Sequence, residues 1–258
     1  MGPVQGIYED FAAIYDAVMA DVPYGQWADR VGELFKRFGE GAEPPFTVNR
    51  VCDLACGTGN VLLLLHKKGY RMVGVDRSAA MLKEARCKAE REGFRPILLQ
   101  QDFRGLRLAD RVDATICLFD SLNYLESQAA LVSTFRAVYA GLVPGGLFLF
   151  DMNSEDRLKK IGRNSTIIEQ DGFVLRWENE YIPEDRSWQI VLRGTIREPG
   201  GGLRRFSEVH REYAYARPEI EKALTSARFS LLACYDGYSE QPSNPESGRL
   251  LFVARRAL

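Results

Sequence analysis

The 258 residues predict an α/β fold: a doubly wound, mostly parallel seven-stranded sheet with helices on both faces and an antiparallel β subdomain inserted after the fifth strand. Short apolar runs alternate with helical stretches between residues 50 and 150, the order that builds βαβ units. A glycine-bearing turn joins the first of these runs to its helix. After residue 160 the pattern changes to apolar–polar alternation broken by turn residues, the mark of antiparallel strands.

Residues 8–38 read as helical, with Phe11, Ile14, Tyr15 and Val18 on one face. Pro23 and Gly25 divide the stretch, and its second part carries Trp27, Val31, Leu34, Phe35 and Phe38. Residues 39–45 form a glycine- and proline-rich loop. A strand follows at 50–54, a helix at 60–68 closed by Gly69, a strand at 71–75 and a helix at 79–92 ending at Gly93. Strands at 96–100 and 114–119 precede a helix at 128–142, and Pro144-Gly145-Gly146 turns into a fifth strand at 147–150. Within 165–215, Phe173, Leu175 and Trp177, then Trp188, Ile190 and Leu192, then Val209, Arg211 and Tyr213 mark alternating segments, with turns at 183–185 and 199–202. Three or four antiparallel strands are expected there. A helix at 218–228 with proline in its first turn and strands at 230–238 and 249–254 complete the sheet. The expected organisation is a helical cover over 1–45, a binding core over 46–160, the insert over 161–215 and the return to the core over 216–258.

Hydrophobic residues make up 46% and charged residues 27%, an ordinary globular balance. The formal net charge of -1 supplies no global field toward nucleic acid or anionic lipid, so only a local basic patch would bring a nucleic acid. No run approaches the ~18 apolar residues of a membrane helix, and residues 1–16 lack a basic-then-apolar signal pattern. Cys52, Cys56, Cys87, Cys117 and Cys234 are scattered, and no second pair or nearby histidine completes a zinc set, so no metal is expected. Reduced, mostly buried thiols in a cytoplasmic protein are the better reading.

The most informative stretch is Val51-Cys52-Asp53-Leu54-Ala55-Cys56-Gly57-Thr58-Gly59-Asn60. It joins a strand to a helix N-terminus, where glycines let a ligand approach the backbone, at the edge where open α/β sheets bind ligands. A dinucleotide loop would place its third glycine at position 62, which is Leu62, and Asp53 would repel a pyrophosphate. A carboxylate there suits the ammonium of an amino-acid moiety. Met72-Val73-Gly74-Val75-Asp76 ends in an acid placed to accept ribose hydroxyls, and Gln101-Asp102-Phe103 offers an acceptor and a ring for adenine.

Over residues 48–155 these segments resemble the class I S-adenosylmethionine-dependent methyltransferases. The glycine stretch looks like the motif that brackets the methionine part, Asp76 the ribose acid, and Gln101-Asp102-Phe103 the adenine motif. Met81 matches a position that packs on adenine, Leu118-Phe119-Asp120-Ser121-Leu122-Asn123-Tyr124 falls where the fourth strand feeds the active-site loop, and Pro144-Gly145-Gly146 looks like the turn before the fifth strand. The flanks are similar to free-standing bacterial small-molecule N-methyltransferases, with a tyrosine-bearing N-terminal helix and a β insert. The resemblance implies S-adenosylmethionine as cofactor and S-adenosylhomocysteine as product. It implies cofactor contacts from Tyr8, Tyr15, Trp27, Asp53, Ala55, Gly57, Gly59, Asp76, Arg77, Met81, Asp102, Phe103, Leu118 and Phe119. For Tyr8, Tyr15 and Trp27, core packing is the competing expectation.

Methyl transfer is an in-line displacement at an already activated carbon, so the protein chiefly orients, desolvates and deprotonates. Asn123 and Tyr124 are candidates for orienting a substrate, Asp151 for taking a proton or binding an amine, and His210 for a base. Asp151 as a solvated strand end is the competing reading. The loop after the fourth strand lacks the prolines with which amino-methylating DNA enzymes stack a flipped base, and no cysteine follows a proline. A small-molecule nitrogen or oxygen nucleophile is therefore the expected acceptor. An RNA or protein methyltransferase and a catalytically silent cofactor-binding partner protein are the alternatives. The aromatic-rich insert is expected to be a substrate-facing lid or, alternatively, a homodimer surface.

Overall fold

The computed structural model describes residues 6–39, 45–198 and 200–258, so most of the loop expected over 39–45, and Pro199 of the turn at 199–202, lie outside the described residues. In chain order the elements are α1 (Ala12–Val18), α2 (Tyr24–Gly39), β1 (Arg50–Leu54), α3 (Asn60–Lys67), β2 (Arg71–Asp76), α4 (Ala79–Arg91), β3 (Ile97–Gln100) and β4 (Val112–Cys117). There follow α5 (Gln128–Gly141), β5 (Leu142–Asn153), α6 (Glu155–Ile161), β6 (Asn164–Gln170), β7 (Phe173–Ile182), β8 (Ser187–Arg197), β9 (Leu203–Tyr213), α7 (Arg217–Ser226), β10 (Phe229–Asp236) and β11 (Arg249–Arg256).

The main sheet has the order β10-β11-β5-β4-β1-β2-β3. Strands β1 to β5 pair in parallel, and β11 runs against both β5 and β10. The chain reverses direction across the sheet between β1 and β4, which opens a crevice at the C-terminal ends of those strands. Central strands are buried on both faces because helices cover both. Cys52, Leu54, Val73 and Val75 pack with Leu131, Phe135 and Val138 of α5 and with Ile220 and Leu224 of α7. Val51, Met72, Ala114 and Ile116 turn the other way, toward Val31, Leu34 and Phe35 of α2 and Leu62 and Leu65 of α3.

The insert is a separate antiparallel sheet, β6-β7-β8-β9. Its inner face carries Phe173, Leu175, Ile190, Leu192, Ile196 and Phe206, which pack with Phe11 and Ile14 of the N-terminal segment. The N-terminal helix and the insert thus share a core of their own. Three local expectations need correction. In β9 the inward residues are Phe206, Glu208, His210 and Glu212, whereas Val209 is 54% exposed, so the alternation has the opposite phase to the one expected. Pro144-Gly145-Gly146 lies inside β5 at a register irregularity instead of preceding the strand. The helix α6, capped by Ser154 on the N–H of Arg157, had no counterpart among the expected elements. Among the described residues no helix is long and apolar enough to cross a membrane.

Gly74 shows how tightly β2 is packed beneath the glycine turn. A Cβ there would stand 2.6 Å from Leu62 Cδ1, 2.7 Å from Leu98 Cδ2 and 3.0 Å from Cys56 Sγ. Gly74→Ala should therefore cost about 1–3 kcal/mol by overpacking. Urea unfolding should show a lower midpoint with an unchanged slope; an unaltered midpoint would mean that the neighbouring side chains yield freely.

Candidate active site

The ends of the parallel strands, the N-terminal segment and the inner face of the insert enclose a cavity of about 360 Å³, within the range of small-molecule sites. On the sheet side it is lined by Asp53 of β1 with Ala55 and Gly57 of the turn that follows, Asp76 at the end of β2 with Arg77, Met81 of α4, Asp102 and Phe103 after β3, and Leu118 and Phe119 after β4. Tyr8, Tyr15 and Trp27 line it from the N-terminal side, and Trp177, Trp188, His210 and Glu212 from the insert.

The turn after β1 is held by its neighbours. Gly57 takes φ +53°, and its N–H donates to Asp76 Oδ2 at 2.9 Å. Asp76 Oδ1 accepts from the N–H of Ser78 at 2.9 Å, so one carboxylate ties the turn to the start of α4. A Cβ on Gly57 would meet nothing within 4 Å, so the positive φ and not crowding is what favours glycine there. Asp53 is buried, and among the described residues no cation pairs with it. Burial, and then the charge of Asp76, push its carboxyl up to about 8 against the N–H of Leu62. Burial likewise raises Asp76, against the N–H groups of Ser78 and Gly57.

A second group lies where β4, β5, β9 and β11 meet. Phe119 and Asp120 both have positive φ, 60° and 52°, a costly backbone for non-glycine residues that persists only where the surroundings over-determine it. The N–H of Asp120 donates to Asp151 Oδ1 at 3.0 Å, and Arg249 pairs with Asp120 at 2.8 Å and with Asp151. Asn153 donates to Asp120 at 2.7 Å and to Glu212 at 3.3 Å. Burial, and then the charge of Asp120, raise the Glu212 carboxyl well above the usual range. The Arg249 guanidinium, which also lines the cavity, lies 5.6 Å from the centre of the Phe119 ring.

A third group crosses from the insert. His210 Nε2 lies 3.1 Å from Glu208, and its Nδ1 lies 3.1 Å from the hydroxyl of Tyr124, which is 2.7 Å from that of Tyr8. Trp188, also at the cavity, has a shielded indole N–H with no hydrogen-bond partner among the described residues.

Several candidates need correction. Asn123 does not line the cavity: its amide is spent on the backbones of Asn153 and Tyr213. Asp151 is neither at the cavity nor solvated; it is fully buried under Arg249. Gly59 is also away from the cavity, where its missing Cβ lets α3 approach Ala85, 3.2 Å from where that Cβ would stand. Asp102 reaches the cavity with its carboxylate engaged by Arg104. Glu208, Glu212 and Arg249 were not singled out from the sequence, and Trp188 only as one of the aromatic residues of the insert. The spacing Glu208-x-His210-x-Glu212 could have signalled the first two, since alternate residues of a strand share a face.

Residues 51–146 match a family model described as a methyltransferase domain. YqeM of Bacillus subtilis (strain 168), provisionally named a methyltransferase, is 31% identical over 253 residues, covering 97% of this chain and 98% of the relative. The dTDP-3-amino-3,4,6-trideoxy-α-D-glucopyranose N,N-dimethyltransferase of Streptomyces venezuelae is 28% identical over 202 residues, 78% of this chain and 80% of the relative. The crystal structure of an S-adenosylmethionine-dependent methyltransferase from Clostridium acetobutylicum ATCC 824 superposes with a TM-score of 0.82 at 31% identity, over 98% of this chain and 100% of that one.

The buried acids set the pH response of the ligand-free protein. A carboxyl raised in the folded state holds its proton where the unfolded chain has lost it, so stability falls as pH rises through that interval. Asp53, raised to about 8, and Asp76 and Glu212, also raised, all act in this direction. Acids held low, such as Asp16 beside Lys88, are already ionised there. Thermal unfolding should give a melting temperature that declines from about pH 5 to about pH 8, and less steeply in Asp53→Asn. A melting temperature that rises over this range would contradict the assignment.

Proposed function

Since the chain belongs to the class I S-adenosylmethionine-dependent methyltransferases, we propose that it methylates a small molecule, at nitrogen or oxygen, held between the sheet's C-terminal edge and the insert. The observation that carries this reading is enclosure. Strand-end acids and the insert's inner face line one cavity beneath the N-terminal segment, which suits a metabolite better than a chain of RNA or protein. In this reading the insert is a lid. A nitrogen acceptor is supported by the carboxyl groups of Asp120 and Glu212, which line the cavity and can accept hydrogen bonds from an amine. The Streptomyces relative, named for an amino sugar, supports the same choice.

The residues present fit S-adenosylmethionine. Asp53, buried without a cation, suits the ammonium of the methionine part, and Asp76 the ribose hydroxyls. Met81 and Phe103 suit the adenine faces, while Asp102 would have to share its pairing with Arg104 to accept from the adenine amine. Ala55, Gly57, Arg77, Leu118 and Phe119 wall the cofactor, and Tyr8, Tyr15 and Trp27 cover it. When bound, S-adenosylmethionine supplies a methyl group whose bond to sulfur breaks as the bond to the acceptor forms, the electron pair remaining on a neutral thioether. The chain orients the acceptor against Trp177 and Trp188, excludes water, and takes the acceptor's proton through the Tyr124 hydroxyl to His210 Nδ1.

Binding should be visible before any acceptor is known. An ammonium beside Asp53 displaces a proton that a carboxyl raised to about 8 still holds at neutral pH. S-adenosylmethionine should bind in the micromolar range and release up to about one proton, read as a buffer-dependent calorimetric enthalpy that Asp53→Asn abolishes. NAD should not bind; binding of NAD alone would remove the basis of the reading.

The acceptor class is tested with labelled S-adenosylmethionine offered to pooled small amines and hydroxy compounds, RNA and protein. Label is expected in the small-molecule pool. Tyr124→Phe and His210→Ala should then lower kcat about 10²-fold while S-adenosylhomocysteine affinity stays near that of the unsubstituted protein. Label appearing only in RNA or protein would sink the small-molecule reading.

A further inference from the structure

Glu208 is buried on β9 with its side chain screened from solvent, a placement that disfavours a carboxylate unless it is well supplied with donors. Burial pushes its carboxyl up, but the hydrogen bond to His210 and the N–H groups of Phe11 and Tyr8 outweigh that and hold it below the usual range. One oxygen accepts from the backbone N–H groups of Glu9, Asp10 and Phe11 at 3.1, 2.8 and 3.0 Å. The other accepts from the N–H of Tyr8 at 2.7 Å and lies 3.1 Å from His210 Nε2. Phe11 precedes α1 without a side-chain cap of its own; Glu208 satisfies those donors from a distant strand.

These contacts give the hydrogen bonds a direction. An ionised carboxylate only accepts, so Nε2 carries a proton, and when the ring holds a single proton Nδ1 is an acceptor. The Tyr124 hydroxyl, 3.1 Å from Nδ1, donates to it, and the Tyr8 hydroxyl, 2.7 Å from Tyr124, donates in turn. Because the N–H of Tyr8 is itself on Glu208, the links close into a ring through Glu208, His210, Tyr124 and Tyr8.

We propose that Glu208 is a positioning residue for the methyl transfer: it holds His210 in the tautomer that can receive a proton through Tyr124, and the same carboxylate fastens residues 8–11 across the cavity. The group that sets the tautomer is therefore also the one that anchors the N-terminal segment. The chemistry rests on the small-molecule reading above, whereas the geometry is independent of the acceptor. A proton leaving the acceptor goes to the Tyr124 oxygen as the Tyr124 proton moves to His210 Nδ1. Glu208 then offsets the imidazolium charge, so no further proton sink is required. With the segment lifted, Tyr8 leaves the ring and Glu208 loses its backbone donors.

The chain has two histidines, so nitrogen-15 imidazole spectra hold two ring systems, and His66→Gln assigns them. His210 of the unsubstituted protein should show the Nε2–H tautomer. In Glu208→Gln that preference should be lost, and amide exchange at residues 8–11 should quicken at least about tenfold while β1 stays protected. An Nδ1–H tautomer in the unsubstituted protein overturns the proposal, and that measurement stands whether or not the variant folds. Unchanged tautomer and protection in Glu208→Gln overturn it too. Neither observation needs a methyl acceptor, so a failed acceptor search would count against the proposed function and not against this assignment.

Discussion

Arg249 stands at the end of β11, where the one reversed strand of the main sheet meets the ends of β4 and β5. Its guanidinium is withdrawn from water between Asp120 and Asp151. Removing a charge from water costs several kcal/mol, repaid only by well-directed partners, so this arrangement tolerates little movement. It holds the left-handed backbone of Phe119 and Asp120 and lies over the Phe119 ring. That ring in turn lines the cavity and meets Trp27 edge-on at 5.3 Å. The shape of the pocket wall thus follows from an ion pair whose Asp120 and Arg249 themselves line the cavity.

The second constraint is the N-terminal segment, fixed at both ends. Glu208 holds its start, while Asp16 near its end accepts from Thr58 at 2.7 Å and Asn60 at 3.0 Å and pairs with Lys88 at 2.6 Å. The segment therefore spans the glycine turn on one side and the insert on the other. Its side chains Phe11 and Ile14 complete the insert's core, and the Tyr8 hydroxyl lies 2.7 Å from that of Tyr124. One short stretch of chain thus joins the cover of the cavity to the hydrogen bonds of Glu208, His210 and Tyr124.

Much of this was legible in the sequence. The strands and helices of residues 50–141 follow from apolar period and capping residues, as with Ser78 accepting from Met81 N–H at the start of α4. The acids at the ends of β1, β2 and β3 were legible because a parallel sheet brings consecutive strand ends to one edge. Less legible was what a polar residue near that edge does once placed there. Asn123 and Asp151 looked like free polar groups, yet both are consumed in binding neighbouring strands, since a buried amide or carboxylate cannot be left unpaired.

The phase of β9 marks the boundary between the two kinds of knowledge. Period-two patterning states that alternate residues share a face, but a shift of one residue exchanges the faces, and Val209 and Tyr213 made the wrong face look apolar. By itself the sequence determined the α/β frame, the glycine turn and the strand-end acids, all of which depend on short-range periodicity and local backbone chemistry. The inward placement of Glu208 and Glu212 beside the candidate base His210 was decided by tertiary structure. A strand can bury such groups only when donors arrive to meet them, and those of Glu208 come from backbone N–H groups as far as 200 positions away in the chain.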